Sequence, residues 1–583
     1  MSNAAGVGAN VHRRRWWILS VLCLSVLLVV VDNTIVNVAL PTMSRQLSAS
    51  TQDLQWIVDA YTLVFAGLLL VGGNLGDRIG RRRILQAGLG LFALTSVGAA
   101  LSRSTGELIA GRAAMGVAAA LIYPATLALL NSTFTVARER ATAIGIWSAV
   151  SGLAVAIGPV SGGLLLRHFS WSSIFWVNVP IAAIAIAAGA RLLPESRDSQ
   201  AGRFDPLGAA ASVAGIGLLV WTVIEAPGHG WTSPVTLAGF AGSLVILAGF
   251  AFWQVRRPDP MLDVRLFANA RFSAASGAIA LAFFGLFGFI FLITQYFQVV
   301  RGYDPLRAGV ATLPFAVVTG AMSPAAIGLM KRIGTKIVVA CGLALMSAGF
   351  VVAAGVGVDS AYWGRIIASM TLMAAGLALT SSPATDAIMG ALLPGKAGAG
   401  SAVNDTTREL GGTLGVAVVG SVMASVYGAH VLRSMTGLGA PAAAAAAAKQ
   451  SVVAGLSVAA HLPPALQGTA AHAARQAFVD GLSAGSLVAG AGTAIAAAAA
   501  LAFLPARATQ PRPGDAAAVV PVSTGGTGPL SHPADQRPGP GDPPRIVPPH
   551  HPQTAAGSFP RGPWRAGQPP TTGAGRGPAG THD

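Results

Sequence analysis

Gly73-Asn74-Leu75-Gly76-Asp77-Arg78-Ile79-Gly80-Arg81-Arg82-Arg83 is a short run of small and charged residues between two long apolar runs, 54–72 and 84–101. Each apolar run approaches the roughly 20 residues that a helix needs to cross ~30 Å of hydrocarbon. Spans joined by so short a link form an antiparallel helical pair. The arginines of the link place it on the cytoplasmic side. Gly73 and Gly76 let the two helix ends approach closely, and Gly80 permits a backbone turn that a side chain would hinder. Asp77 can accept bonds from the neighbouring arginines or from helix N-terminal amides. Read alone, a charged turn that only sets orientation fits the same residues.

The rest of the chain has the same character. Of 583 residues, 53% are hydrophobic and only 10% charged, with a mean hydropathy of +0.61, which indicates an all-α integral membrane protein and excludes a soluble domain. The net charge of +16 is dispersed over short loops, which suits membrane orientation and not nucleic-acid binding. Cys23 and Cys341 each stand alone in an apolar run, so neither a disulfide framework nor a metal site is expected. Arg13-Arg14-Arg15 resembles the start of a signal peptide, but the following apolar run continues to Leu40 without a small-residue cleavage site and reads as an uncleaved first helix.

Apolar runs fall near 16–40, 54–76, 83–101, 107–130, 142–166, 172–192, 206–225, 235–254, 272–297, 306–330, 336–357, 362–386, 399–427 and 482–504, which makes about fourteen helices. Arginine-rich loops alternate with arginine-poor ones, so both termini are expected in the cytoplasm. Arg78-Ile79-Gly80 recurs as Arg332-Ile333-Gly334, again followed by a basic residue. Aligning the two turns gives two six-helix halves, helices 1–6 and 9–14, with helices 7 and 8 as an inserted pair. The expected organisation is therefore a cytoplasmic N-terminus (1–15), a first half (16–192), the inserted pair (193–258) and a second half (259–504) that includes an external loop at 428–481. A Pro/Gly-rich cytoplasmic tail (505–583) lacks the aliphatic residues to build a core.

Several charges lie where a membrane disfavours them. Asp32 falls roughly 12 Å below the outer surface, and Asp59 and Arg112 about 8 Å below it, at 1.5 Å rise per residue. Two acids and one arginine then share the outer half of one bundle, where Arg112 can neutralise one carboxylate. A static pair that only specifies packing is the competing reading, but it leaves one acid unexplained. Asp405, Arg408 and Glu409 form a second deep cluster on helix 13. Pro159 bends helix 5, and Gly152, Ala156 and Gly163 form a small-residue face beside it. The half-match to a phosphate loop at Gly390–Lys396 lacks the hydroxyl that would hold Mg²⁺ and has no preceding strand.

The quoted turn resembles the signature loop of the major facilitator superfamily, in which the aspartate and arginines bridge helices on the cytoplasmic face and stabilise one access state. Asp32-Asn33-Thr34-Ile35-Val36-Asn37-Val38-Ala39-Leu40-Pro41 resembles the helix-1 signature of the fourteen-helix, drug:proton antiporter branch. Gly111-Arg112-Ala113-Ala114-Met115-Gly116 resembles its helix-4 arginine motif, with Met115 where a glutamine is usual. Gly152 to Gly163, centred on Gly158-Pro159, resembles the motif that marks exporters. The resemblance implies proton-coupled efflux of drugs or other amphipathic molecules by alternating access across a bacterial inner membrane. It implies a proton and substrate site at Asp32, Asn37, Asp59, Arg112, Asp405, Arg408 and Glu409, and gating at Gly73, Asp77, Arg78, Gly80, Arg81, Gly158 and Pro159. No cofactor other than the proton gradient, no nucleic acid and no obligatory protein partner is expected. An uptake symporter and a non-transporting membrane sensor or scaffold are the alternatives.

Overall fold

The computed structural model describes residues 2–197, 205–258, 260–391 and 397–505, of which 2–13, 137, 141 and 397–402 are described as backbone alone. The Gly390–Lys396 half-match and the tail expected at 505–583 therefore fall almost wholly outside the described residues. Among the described residues, 14 helices are long and apolar enough to cross a membrane. They are α1 (Arg14–Gln46), α2 (Thr51–Ile79), α3 (Arg81–Ala100), α4 (Thr105–Thr133), α5 (Arg138–His168), α6 (Ser173–Leu192) and α7 (Pro206–His229), then α8 (Pro234–Arg256), α9 (Ala270–Val300), α10 (Pro305–Ile333), α11 (Thr335–Ala354), α12 (Tyr362–Gly390), α13 (Val403–Gly437) and α14 (Pro464–Phe503). The last two are much longer than hydropathy suggests, so helix occupies most of the stretch 428–481. Between them lie two short helices, Ala442–Ala448 and Val452–Ala460. Arg475 and Asp480 lower the hydropathy of the α14 start, but Ala470, Ala474, Ala477 and Phe478 form a buried stripe there. An alanine-rich amphipathic stretch is a good helix whatever its mean hydropathy.

Helix contacts repeat with an offset of eight helices. α1 packs on α4, α5 and α6, α2 on α4, and α3 on α4 and α6; α9 packs on α12, α13 and α14, α10 on α12, and α11 on α12 and α14. The turns match too. Gly80 and Gly334 end α2 and α10 with φ of +129° and +89°, and each donates its N–H four residues back, to Gly76 and Met330. A side chain would be strained at either. The inserted helices α7 and α8 pack on each other, and α7 also packs on α2 and α13. Leu63 of α2, Val220, Val223 and Ile224 of α7 and Ala417 of α13 form a separate buried cluster there.

Asp205, just before α7, closes the inserted hairpin. It is 3% exposed and accepts from Gly208 N (3.0 Å), Trp253 Nε1 (3.2 Å), Gln254 Nε2 (2.7 Å) and Arg257 Nη1 (3.3 Å). Burial pushes its carboxyl up, but these four donors outweigh burial and hold it below the ordinary 3.8.

The two halves meet at the end opposite the arginine-rich turn. Gln55 of α2 donates to Ala417 O (2.9 Å), Val416 O (3.2 Å) and Ser421 Oγ (3.2 Å) of α13, and Thr413 Oγ1 lies 3.0 Å from Thr62 Oγ1. Gln298 of α9 donates to Val38 O of α1 (2.8 Å). On the other side, Gly163 of α5 abuts Pro305 and Leu306 of α10, and Gly309 abuts Pro159. Toward the arginine-rich end the same helices part. Gly152 and Gly145 lie about three and five turns before Gly163 on one face of α5, yet both face open space, as does Gly320 on α10. Of the small-residue face expected on α5, only the Gly163 end is packed.

Close helix approach also falls on a different glycine from those expected. A Cβ at Gly72 would lie 2.7 Å from the carbonyl carbon of Ala120 in α4, whereas Gly73 and Gly76 have only ordinary contacts at 3.6 and 4.0 Å. Gly72→Ala is expected to cost about 1–3 kcal/mol, while Gly73→Ala is neutral or gains a few tenths from helix propensity. Thermal unfolding midpoints in detergent check the pair. For Asp205, a depressed folded pKa means stabilisation that is complete above 3.8 and lost as pH falls through the folded value. The midpoint advantage of wild type over Asp205→Asn should therefore be constant near neutrality and shrink below that pH.

Candidate functional site

The interior of the first half is organised on Asp32. Its Oδ2 accepts from Arg112 Nη1 at 2.5 Å and its Oδ1 from Asn178 Nδ2 at 2.7 Å. Both members of the ion pair are 0% exposed. Arg112 Nε donates to Ile57 O (3.1 Å), and its guanidinium lies 4.2 Å from the Tyr61 ring centroid. Tyr61 in turn donates to Val29 O (3.2 Å). Asn178 Nδ2 also reaches Ser96 Oγ (3.1 Å), which donates to Phe175 O (2.8 Å). Five helices, α1, α2, α3, α4 and α6, are tied to one carboxylate. Asn178 sits within the apolar start of α6, and a lone buried amide in such a run is the sequence signal that could have found it. Asn37, also buried, donates to Asn33 O (3.3 Å) within α1 and, among the described residues, makes no side-chain bond to another helix.

Asp59 does not join this cluster. On α2, Ile57 and Tyr61 face α4, while Gln55 and Thr62 face α13; Asp59 is one turn from each of the latter pair and shares their face. It is 0% exposed, and among the described residues neither of its carboxylate oxygens has a hydrogen-bond partner. Depth along a helix carries no information about azimuth. The structure thus holds one satisfied acid within the first half and one bare acid between the halves.

The cluster on α13 lies just beyond the Thr62–Thr413 contact, toward the arginine-rich end, and is half-buried. Arg408 turns away from both acids on its own helix. Its Nη2 donates to Ser381 Oγ (3.2 Å) and Thr385 Oγ1 (3.3 Å) of α12, its guanidinium lies 5.2 Å from the Phe283 ring centroid, and it makes no ion pair among the described residues. Asp405 Oδ1 accepts from Asn404 Nδ2 (3.4 Å), and Glu409 Oε2 is without a partner. Across from them the first half presents a chain of aromatic rings, Tyr61–Phe65 (5.9 Å), Phe65–Tyr123 (5.8 Å) and Tyr123–Trp147 (5.3 Å). Trp147 Nε1 is taken by Thr126 Oγ1 (3.2 Å). Sequence reasoning passed over these rings, although Tyr61 and Tyr123 are two of only six tyrosines in the chain.

At the arginine-rich end Asp77 Oδ1 accepts from Arg81 Nε (2.8 Å) and Nη2 (2.8 Å). The turn is bound to the end of α6 through Glu195, which accepts from Arg82 N (3.2 Å) and pairs with Arg83 (3.6 Å); Arg81 N donates to Ser196 O (3.0 Å). Arg78 is exposed and makes no ion pair among the described residues. Arg15 and Glu139 pair at 2.9 Å, joining the starts of α1 and α5. Gly158 packs against Thr34 and Gly162 against Ile35, so close that a Cβ at either would clash with α1.

A family profile described as Major Facilitator Superfamily matches residues 22–416. The chain is 38% identical to the multidrug efflux pump LfrA of Mycolicibacterium smegmatis over 82% of its length and 94% of that protein. It is 36% identical to the methyl viologen resistance protein SmvA of Salmonella typhimurium, covering 80% and 93%. With the tetracenomycin C resistance and export protein of Streptomyces glaucescens the identity is 33%, covering 89% and 97%. Among solved structures, a bacterial homologue of the human lysosomal transporter Spinster, inward-facing and unoccupied, shares the fold at a TM-score of 0.57 and 19% identity, covering 84% of this chain and 98% of that one.

The buried pair carries its own test. Arg112→Met strips Asp32 of its cation and should cost about 3–5 kcal/mol, whereas removing both charges with Asp32→Leu and Arg112→Met should recover most of that loss. The yield and thermal midpoint of folded protein report the comparison; a double variant no better than the single one would contradict it.

Proposed function

The chain belongs to the Major Facilitator Superfamily, and on that premise we propose that it exports amphipathic drugs from a bacterial cell in exchange for protons. The single observation that carries the reading is the one-sided seam: two halves of matching helix contacts, joined at one end and parted at the other, with unpaired acids on both sides of the join. The positive-inside rule puts the arginine-rich, parted end in the cytoplasm. The site between the halves then opens inward, and the relatives named as efflux and export proteins agree with outward drug movement.

The substrate chemistry follows from the cleft. Apolar and aromatic walls supply non-directional binding energy. Tyr123, the partly exposed member of the ring chain, offers a face to a planar cation, and Glu409, whose Oε2 has no hydrogen-bond partner among the described residues, offers it a carboxylate. An amphipathic cation fits this arrangement best. Asp405 joins Glu409 on the same wall.

Asp32 and Asp59 take different parts in coupling. Asp32, with Arg112 and Asn178, fixes the helices of the first half around a carboxylate that can exchange a proton when the arginine shifts. Asp59 lies in the seam itself. Burying an unpaired carboxylate there is costly, so the seam closes over Asp59 when its oxygen carries a proton drawn from outside. Returning to the drug-accepting state thereby carries an external proton into the seam, and Asp59 releases it toward the inward-open cleft, past the Thr62–Thr413 contact to Glu409, before the next drug is carried out. Gly152, Gly145 and Gly320 are the faces that close when the cytoplasmic end seals, and Gly158-Pro159 with the Asp77–Arg81 turn are the gating elements at the two ends. Four-fold tying of the Gly80 turn to Asp77, Glu195 and Ser196 makes the first half move as one body.

Inverted membrane vesicles with an imposed pH gradient test this. A lipophilic cation should collapse the gradient through wild-type protein and fail to do so through Asp32→Asn or Asp59→Asn. Glu409→Gln should raise the half-saturating concentration of the cation about tenfold, as expected for ~1.4 kcal/mol of lost attraction, and leave a neutral drug unchanged. Full coupled export by Asp32→Asn, or no gradient change with any compound, would overturn the reading.

A further inference from the structure

The segment 438–463 takes no part in the site, yet it bridges the two halves at the sealed end. Its base is fixed to the second half. Tyr427 of α13, 1% exposed, shares its hydroxyl proton between the carbonyls of Ala448 and Ser451, each at 2.9 Å. Helix Val452–Ala460 packs along α14, and Gly455 lies against the Tyr427 hydroxyl and Ala474.

Its tip touches the first half. The Gln450 carbonyl accepts both the backbone N–H of Thr51 (2.9 Å) and its hydroxyl (3.1 Å). Ser451 Oγ lies 3.4 Å from Ser44 Oγ of α1. Thr51 opens α2, whose cap is otherwise complete: Ser50 and Asp53 form a reciprocal capping box. The first N–H groups of a helix have no partner inside it, and Gln450 supplies one from the other half, at the positive end of the helix dipole. Ser44, Thr51, Ser451 and Val452 are all buried.

From this geometry we infer that 438–463 is a strap: it rides on the second half, latches the sealed end through Gln450 and Ser451, and must release before that end can open. The halves move as packed bodies whose contacts change in discrete steps. Any motion that parts α2 from α13 pulls Gln450 off Thr51, because Tyr427 and α14 hold the strap to the other side. The inference rests on the alternating-access reading above.

A disulfide tests it. In a chain with Cys23 and Cys341 replaced by serine, Ser44→Cys with Ser451→Cys should cross-link on oxidation, cut drug-driven proton flux at least tenfold and recover on reduction. A reporter cysteine in the seam, Ser421→Cys, treated with a membrane-impermeant maleimide and read by mass on the peptide that carries position 421 alone, should be labelled in the reduced protein and protected in the oxidised one. Failure of the cross-link to form, or flux and labelling unchanged by it, overturns the strap. If the reduced protein pumps nothing, the transport reading fails, and the labelling contrast still decides the strap by itself.

Discussion

A bilayer interior offers no water, so every polar group placed there must find its partner in protein or stand where a cleft admits solvent. Asp32 meets that demand in full, with Arg112 on one oxygen and Asn178 on the other. The network it anchors reaches Ile57, Tyr61, Ser96 and Val29 and holds α1, α2, α3, α4 and α6 together. An ion pair of this kind contributes little net stability over an apolar replacement. Its importance is to fix which helices move together. Against that background the groups that lack partners stand out. Among the described residues, both carboxylate oxygens of Asp59 in the seam and Oε2 of Glu409 beside the aromatic chain have no hydrogen-bond partner.

Packing at the seam obeys a second constraint, the size of the residues that face it. At the sealed end Gly158, Gly162, Gly163 and Gly309 bring α1, α5 and α10 into backbone contact. At the other end glycines on the same helix faces have no neighbours. One helix pair thus carries two small-residue surfaces, of which only the one at Gly163 and Gly309 is packed. The inserted α7 strengthens the opposite seam, where α2 meets α13, through the cluster around Leu63 and Val223. The inserted pair thereby makes the α2–α13 side the better packed of the two.

Much of this fold is legible in the sequence because a membrane helix is a one-dimensional signal: length and hydropathy find it, and arginines orient it. The repeat of Arg78-Ile79-Gly80 in Arg332-Ile333-Gly334 reappears as two glycine turns with positive φ. What was not legible depends on azimuth. Asp59 was grouped with Asp32 and Arg112 from depth, yet its side of α2 faces α13. Gly73 was chosen for close approach, but Gly72 is the position facing Ala120. Arg408 sits between two acids in sequence and turns to Ser381 and Thr385 in space. Glu195 and the rings from Tyr61 to Trp147 act through long-range neighbours that no local motif announces. The start of α14 was missed for another reason, since an alanine-rich helix that projects past the membrane carries polar residues that hydropathy discounts.

Exchange of access between the two ends is the claim on which the rest depends, and a distance across the sealed end measures it. Gln46 at the end of α1 and Arg433 near the end of α13 are both exposed and can carry spin labels on the two halves. The account predicts a short distance that matches the sealed seam and a second, longer one whose population changes with external pH and with drug. A single short distance under every condition would contradict alternating access in this protein.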